Sequence, residues 1–302
     1  MKVLITGASG FVGKNLISYL KKIGIELVIL GRKDLKKPTL AHLNNYNTIV
    51  HLAGKAHDLK NNSAEDEYIE VNYVYTKGLY NLFLQSNAKK FIYMSSVKAT
   101  ADTISGSLTE ENVSDPKTSY GRSKQLAEQY ILNADLPQDK SYFILRPCMI
   151  HGPGNKGNLN LLFKLVKSGI PYPLAAFNNQ RSFLSVENLC FVINELIMRT
   201  DIPSGIYNIA DDESCSTNEV ISIISTVLNR KPRLWKLSPL LIKALAKVGD
   251  CLHLPLTTER VQKLTESYLV DNTKLRKTLA KDLPVSCNAG LKLTAQHFST
   301  TD

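Results

Sequence analysis

The chain has 302 residues, 43% of them hydrophobic, and a net charge of +10. That length suits one large α/β domain or a large domain with a smaller partner, and no run approaches the roughly 18 uninterrupted apolar residues of a membrane span. The cations are scattered in pairs such as Lys21-Lys22, Lys36-Lys37 and Lys89-Lys90, without an arm or an aromatic-interleaved stripe, so they read as a solvated basic surface and not as a nucleic-acid site.

Residues 2–6 (KVLIT) form an apolar run of strand length at the start of the chain, with no leader pattern before it. Gly7-Ala8-Ser9-Gly10-Phe11-Val12-Gly13 follows, then helical periodicity over 15–20 and a second strand over 25–30. A glycine turn between a strand and a helix is the setting in which backbone N–H groups approach a pyrophosphate at the positive end of the helix. The spacing is G-x-x-G-x-x-G. Gly7, Ser9, Gly10, Phe11, Val12 and Gly13 are the expected cofactor contacts.

The second strand ends Leu30-Gly31-Arg32-Lys33, with no acid where an NAD-preferring unit places one on the ribose. Arg32 fits a 2′-phosphate and favours NADP(H). NAD(H), with Asp34 taking the ribose, is the alternative.

Further strand signals lie at 48–51 and 91–94, the latter running into Ser95 and Ser96. Ser119-Tyr120-Gly121-Arg122-Ser123-Lys124 then sets a phenol and an ammonium four residues apart, on one face of a helix. An ammonium there favours the phenolate and pulls the phenol towards working range; a solvated helix face gives the same spacing. Asn155-Lys156-Gly157-Asn158 leads into an amphipathic helix over 159–167, and Pro171, Pro173 and Asn178 mark a loop after it. The stretch Pro239 to Leu254, leucines among lysines, reads as a core-packing helix with exposed lysines; an interfacial helix is the alternative. Cys148, Cys190, Cys215, Cys251 and Cys287 form no C-x-x-C pair and read as reduced thiols of a cytoplasmic protein, and the histidines suggest no metal site.

Taken in order, TGASGFVG (6–13), IVHLAG (49–54), Val71-Asn72, FIYMSS (91–96), SYGRSK (119–124), LRP (145–147), HGPG (151–154), RSFLSVENL (181–189) and GIYNIADDE (205–213) resemble an extended short-chain dehydrogenase/reductase of the NAD-dependent epimerase/dehydratase family. The resemblance implies a Rossmann-type doubly wound parallel sheet with a smaller C-terminal substrate region. The dinucleotide domain is expected over 1–150, with a return around 181–210, and the substrate region over 151–302. Ser96, Tyr120 and Lys124 correspond to the catalytic group: Ser96 on the substrate oxygen, Tyr120 moving its proton, Lys124 on the nicotinamide ribose. Leu52, Ala53, Gly54, Asn72 and Pro147 are further cofactor contacts, and Asn158 and Arg181 substrate contacts, with Arg233 or Lys231 as helpers of Arg181.

Three departures narrow the reading. Val97 and Lys98 follow Ser96 where the 4,6-dehydratases carry Asp and Glu, so dehydration is not expected. Only fifteen residues separate Arg32 from Thr48, so the family's helix and adenine-side strand look abbreviated to the neighbourhood of Thr39-Leu40. His151 stands where the family often has Tyr, with no role assigned. Segments 151–189 and 269–280 look closest to bacterial surface-polysaccharide enzymes acting at C4 of UDP-N-acetylhexosamines. The expected activity is NADPH-dependent reduction of a UDP-4-keto-6-deoxy-N-acetylhexosamine; the alternatives are a UDP-sugar 4-epimerase and a non-catalytic NADP(H) sensor. A homodimer through the helix of Tyr120 and the helix around Tyr73 to Phe83 is expected.

Overall fold

The computed structural model describes residues 1–55, 64–155, 157–252 and 257–301, so Lys156 and positions 253–254 of the two helix expectations lie outside the described residues. The chain divides into two compact units. The larger comprises Met1–Cys148, Val186–Ala210 and Val270–Pro284; the smaller comprises Met149–Ser185, Asp211–Leu269 and Val285–Asp302.

The larger unit runs β1 (Lys2–Thr6), α1 (Phe11–Lys22), β2 (Glu26–Leu30), α2 (Arg32–Lys36), β3 (Thr48–His51), α3 (Glu65–Tyr68), a π-helical stretch (Ile69–Val74), α4 (Tyr75–Gln85), β4 (Lys90–Met94), β5 (Ser107–Leu108), α5 (Ser119–Asn133) and β6 (Ser141–Pro147). After the smaller unit's β7 (Met149–His151), α6 (Asn158–Lys167) and β8 (Arg181–Ser185), the chain re-enters through α7 (Val186–Met198) and β9 (Gly205–Ile209). Six parallel strands form one sheet in the order β2-β1-β3-β4-β6-β9. Val3, Leu4, Ile5, Ile49, Val50, Phe91, Ile92 and Tyr93 are all buried, the near-continuous apolar pattern of strands covered on both faces. Tyr80 and Phe83 of α4 pack with Phe91, beside Ala127 and Ile131 of α5, while α1 packs on α7 and α7 on β4.

Strand order reverses at β1: β2 lies on one side of it and β3 on the other. The carboxyl ends of β1 and β3 therefore open a crevice, the usual place for a ligand in such sheets. β2 is an edge strand because residues 33–47 supply no further strand. They hold the rest of α2 and a 3-10 turn over Leu40–His42, closed by Thr39 and His42, whose Nδ1 lies 3.0 Å from the Thr39 N.

In the smaller unit, β8 pairs with β7 in parallel and with β10 (Ser214–Cys215) antiparallel. Strand 181–185 thus belongs to this three-stranded sheet, and 186–210 is the segment that returns to the larger unit. The smaller unit also holds α8 (Thr217–Val227), α9 (Pro239–Leu252), α10 (Thr258–Thr265) and α12 (Cys287–Thr301), while β11 (Leu269–Val270) leads back to the larger unit and its α11 (Thr273–Leu279). Phe163, Phe183, Ile221, Leu291 and Phe298 form the core, with the Phe163 and Phe298 rings 5.4 Å apart edge to face. Helix α9 buries Ile242, Ala246 and Gly249 but exposes Leu240, Leu241, Leu245 and Val248, so core packing accounts for one stripe of it and not for its leucines. No helix among the described residues is long and apolar enough to cross a membrane.

Candidate active site

The turn after β1 is built around two positions that admit no side chain. Gly7 has φ +71°, and a Cβ there would lie 2.6 Å from Ala53 N. A Cβ on Gly13 would lie 2.3 Å from Gly7 O. Helix α1 is thereby pressed onto the end of β1, and the turn onto the loop after β3. Gly10 is the N-cap and brings no side-chain acceptor, and the first turn of α1 carries no acid. The leading N–H groups at Phe11, Val12 and Gly13 are left for an anion, with Ser9 and Gly10 exposed beside them. A dinucleotide pyrophosphate fits this cradle.

Loop 52–55 is fixed by a buried polar chain. Thr6 Oγ1 accepts from Ala53 N at 3.1 Å and lies 2.7 Å from His51 Nδ1; His51 Nε2 lies 2.9 Å from Thr76 Oγ1, which donates to Asn72 O at 2.7 Å. With the Thr76 proton spent on Asn72, Nε2 carries the histidine proton and Nδ1 accepts from Thr6. Burial, aided by the Lys124 charge, pushes His51 down to about 3, so the ring is neutral. Asn72 sits in the π-helical stretch, where the widened turn aims its amide across the loop. Its Oδ1 accepts from Lys55 N at 2.7 Å, and its Nδ2 donates to Lys55 O at 3.1 Å and to Ser123 Oγ at 3.0 Å. Ser123 Oγ in turn donates to Tyr120 O at 2.8 Å, so loop, π turn and α5 are tied together.

Thr118 caps α5, its hydroxyl accepting from Gly121 N at 3.2 Å, and the Asp102 carboxylate accepts from Lys117 N at 2.8 Å. Tyr120 and Lys124 lie in the first turns of that helix. The structure brings Ser96, two residues beyond β4, close to Tyr120, near enough for its hydroxyl to act on the phenol. Burial raises the Tyr120 phenol, the Ser96 hydroxyl pulls it back, and Tyr68, edge-on with ring centroids 6.1 Å apart, adds to the rise. The downward pull expected from Lys124 is not among these influences; burial is the largest of them. Lys124 is itself buried; its Nζ donates to Met94 O at 2.7 Å and stands 4.9 Å above the Tyr93 ring. Burial pulls its ammonium down to about 8 against the opposing charge of Glu128. A Cβ on Gly54 would lie 3.0 Å from both Lys124 Nζ and Asn72 Oδ1, so the backbone at 54 meets the two side chains directly.

Sequence reasoning passed over Glu128 and Arg146. Arg146 Nε donates to Glu128 Oε1 at 3.0 Å and Nη2 to Oε2 at 2.5 Å, while Ser95 Oγ also donates to Oε1. Glu128 follows Lys124 by four residues, so helical spacing was a signal for it. Lys55 and Tyr68, stacked with Nζ 5.6 Å from the ring centroid, were also missed; their order depends on loop geometry that no spacing encodes.

Arg32 is exposed at the start of α2, immediately beyond β2, with Asp34 exposed two residues later; Pro147 is buried at the end of β6, opposite Ile209. Asn158 and Arg181 belong to the smaller unit. Asn158 is the exposed first residue of α6. Arg181 is half-buried, its Nε donating to Glu266 O at 3.0 Å, and burial lowers its guanidinium against the Glu266 charge. Arg233 donates to Gly169 O at 2.9 Å, and Lys231 lines a cavity near it. Among the described residues no three His, Cys, Asp or Glu side chains are grouped to hold a metal.

The sequence profile of the NAD dependent epimerase/dehydratase family matches residues 3–210. The chain belongs to this family. It is an enzyme of the extended short-chain dehydrogenase/reductase class and works with a nicotinamide cofactor. A UDP-glucose 4-epimerase of Vibrio cholerae is 30% identical over a 318-residue alignment that covers 98% of this epimerase/dehydratase-family chain and 95% of the relative. A dTDP-4-dehydro-6-deoxyglucose reductase of Escherichia coli is 24% identical, covering 76% of this chain and 82% of the relative. The solved structure of MoeE5 in complex with UDP-glucuronic acid and NAD is 21% identical, covers all of both chains at a TM-score of 0.79, and shows a common fold.

Proposed function

We propose that the enzyme reduces the C4 ketone of a nucleotide-activated sugar, a UDP-4-keto-6-deoxy-N-acetylhexosamine, with NADPH, in surface-polysaccharide biosynthesis. The observation that carries the reading is Tyr120 beside Ser96 and one helical turn before the buried Lys124 ammonium, whose Nζ is fixed on Met94 O at 2.7 Å. A protonated phenol is the form that donates to a ketone oxygen as it becomes an alkoxide.

A nicotinamide held by the glycine turn at 7–13 and loop 52–54 would supply the hydride. Ser96 donates to the substrate oxygen and fixes its position, and Tyr120 passes its proton to the same atom. The Lys124 ammonium binds the nicotinamide ribose and stabilises the phenolate left behind. The glycine turn at 7–13 holds the pyrophosphate, loop 52–54 and Asn72 line the nicotinamide side, Pro147 bounds it, and Arg32 takes the 2′-phosphate. Asn158 and Arg181 are assigned to the substrate, Arg181 to its diphosphate. Val97 carries no acid or base, and Lys98 directs its amine to Asp102 O at 2.6 Å, so the positions after Ser96 offer no carboxyl group for dehydration.

A second reading, 4-epimerisation, is favoured by the Vibrio cholerae relative, which matches nearly end to end. One assay separates the two. Incubation with a UDP-4-keto-6-deoxy-N-acetylhexosamine and NADPH should consume one nicotinamide per product. Interconversion of UDP-GlcNAc and UDP-GalNAc without net cofactor use, and no loss on the ketone, would give the assignment to the epimerase. Binding of NADP(H) with no turnover on either would favour the sensor. Val74, Leu126 and Leu132, exposed on or beside α4 and α5, support a homodimer through those helices.

A further inference from the structure

The segment from Arg230 to Val248 contains six cations and no carboxylate: Arg230, Lys231, Arg233, Lys236, Lys243 and Lys247. Two of these cap backbone. Arg230 donates to Val166 O at 3.1 Å, and Arg233 to Gly169 O at 2.9 Å. The other four form no ion pair among the described residues.

Interleaved with them are large apolar side chains that the fold leaves outside. Leu240 is 80% exposed, Leu241 51%, Leu245 47% and Val248 50%. Positions 241, 245 and 248 recur at helical spacing on one face of α9, with Leu240 and Ala244 beside them; Ile242, Ala246 and Gly249 turn the neighbouring stripe into the core. Just before the helix, Trp235 is 56% exposed although its backbone is pinned by a Trp235 N to Tyr172 O bond of 2.9 Å. An exposed indole, a leucine face and unpaired lysines together cover what an anionic bilayer surface offers: headgroup depth for the indole, acyl boundary for the leucines and phosphate for the lysines.

We propose that α9 and the basic segment leading into it dock the enzyme on an anionic lipid surface. The charge decides between occupants. A second copy of this chain would bring its own uncompensated lysines against these, whereas an anionic leaflet neutralises them. The inference concerns where the enzyme sits and stands apart from the choice of substrate.

Trp235 is the chain's single tryptophan, so its emission reports on this segment directly. The full-length protein is mixed with sucrose-loaded vesicles of phosphatidylcholine, with and without phosphatidylglycerol. At low salt the emission should shift to the blue and the protein should pellet with the anionic vesicles, then release as salt is raised. Removing two charges with Lys243→Gln/Lys247→Gln should weaken partitioning about thirtyfold. Leu241→Ser/Leu245→Ser/Val248→Ser should weaken it at least about tenfold, since three apolar groups lose burial. Both variants change exposed side chains, so melting temperature and turnover should stay at wild-type values. Absence of a blue shift and of pelleting with anionic vesicles would overturn the proposal. So would vesicle binding that ignores both variants, or a serine variant that changes only the mass by light scattering, which would assign the face to a second copy.

Discussion

Replacing Glu128 by Gln keeps its shape and removes one charge from a sealed pair. The Glu128 and Arg146 side chains are 2% and 4% exposed, and two guanidinium nitrogens meet two carboxylate oxygens at 3.0 and 2.5 Å. Glu128→Gln leaves the Arg146 cation buried beside a neutral amide. Breaking such a pair costs about 3–5 kcal/mol. At roughly 2–4 °C per kcal/mol for a chain of this order, the melting temperature should fall by about 6–20 °C. The double variant Glu128→Leu/Arg146→Met, which removes both charges, should recover most of that loss. The same substitution reaches Lys124, because the Glu128 charge opposes the burial that lowers its ammonium. Differential scanning calorimetry on the three proteins checks the magnitude. A Glu128→Gln melting temperature within about 2 °C of wild type would refute the reasoning, since a buried guanidinium cannot lose its only counter-charge at so small a cost.

Further outcomes follow from the site. Lys124 is held down at about 8 by burial, below the ordinary lysine range. The penalty on its charged form is present below that value and is relieved as pH rises towards its unfolded pKa, so its share of stability increases with pH there. Turnover that needs the ammonium should move the other way, falling as pH passes about 8, and Glu128→Gln should shift that limb to lower pH in a pH–rate profile. Gly13→Ala sets a Cβ 2.3 Å from Gly7 O and should abolish dinucleotide binding in a titration calorimeter even where the variant stays folded. Arg32→Ser should weaken NADPH by about 2 kcal/mol, the worth of a charge-assisted bond, and leave NADH nearly unchanged in the ratio of the two kcat/KM values.

Much of the larger unit was legible in the sequence because its signals are local. The strand, glycine turn and helix at 2–20 are adjacent, and the apolar runs at 48–51 and 91–94 can only be strands buried on both faces. Tyr120 and Lys124 were found through a helical spacing, and Ser96 through the end of a strand. The abbreviated adenine side was visible as a shortage of residues before Thr48. What escaped was three-dimensional. Nothing in the spacing shows that Asn72 reaches Lys55 and Ser123, or that His51 is neutral between two threonines. The sign of the shift on Tyr120 depends on burial, which spacing along a helix does not reveal. Leucines at 240, 241 and 245 suggested core packing, but only the neighbouring stripe at Ile242 and Ala246 enters the core.

The central claim is that Tyr120 gives its proton to a C4 ketone that receives hydride from NADPH. The direct test is a single turnover of a UDP-4-keto-6-deoxy-N-acetylhexosamine with NADPH deuterated at the transferred position, using wild type and Tyr120→Phe. Wild type should place one deuterium at C4 of the sugar. Tyr120→Phe should bind NADPH as well as wild type does and transfer deuterium about 10²–10⁴ times more slowly. Undiminished transfer by Tyr120→Phe, or a product without deuterium at C4, would contradict the claim.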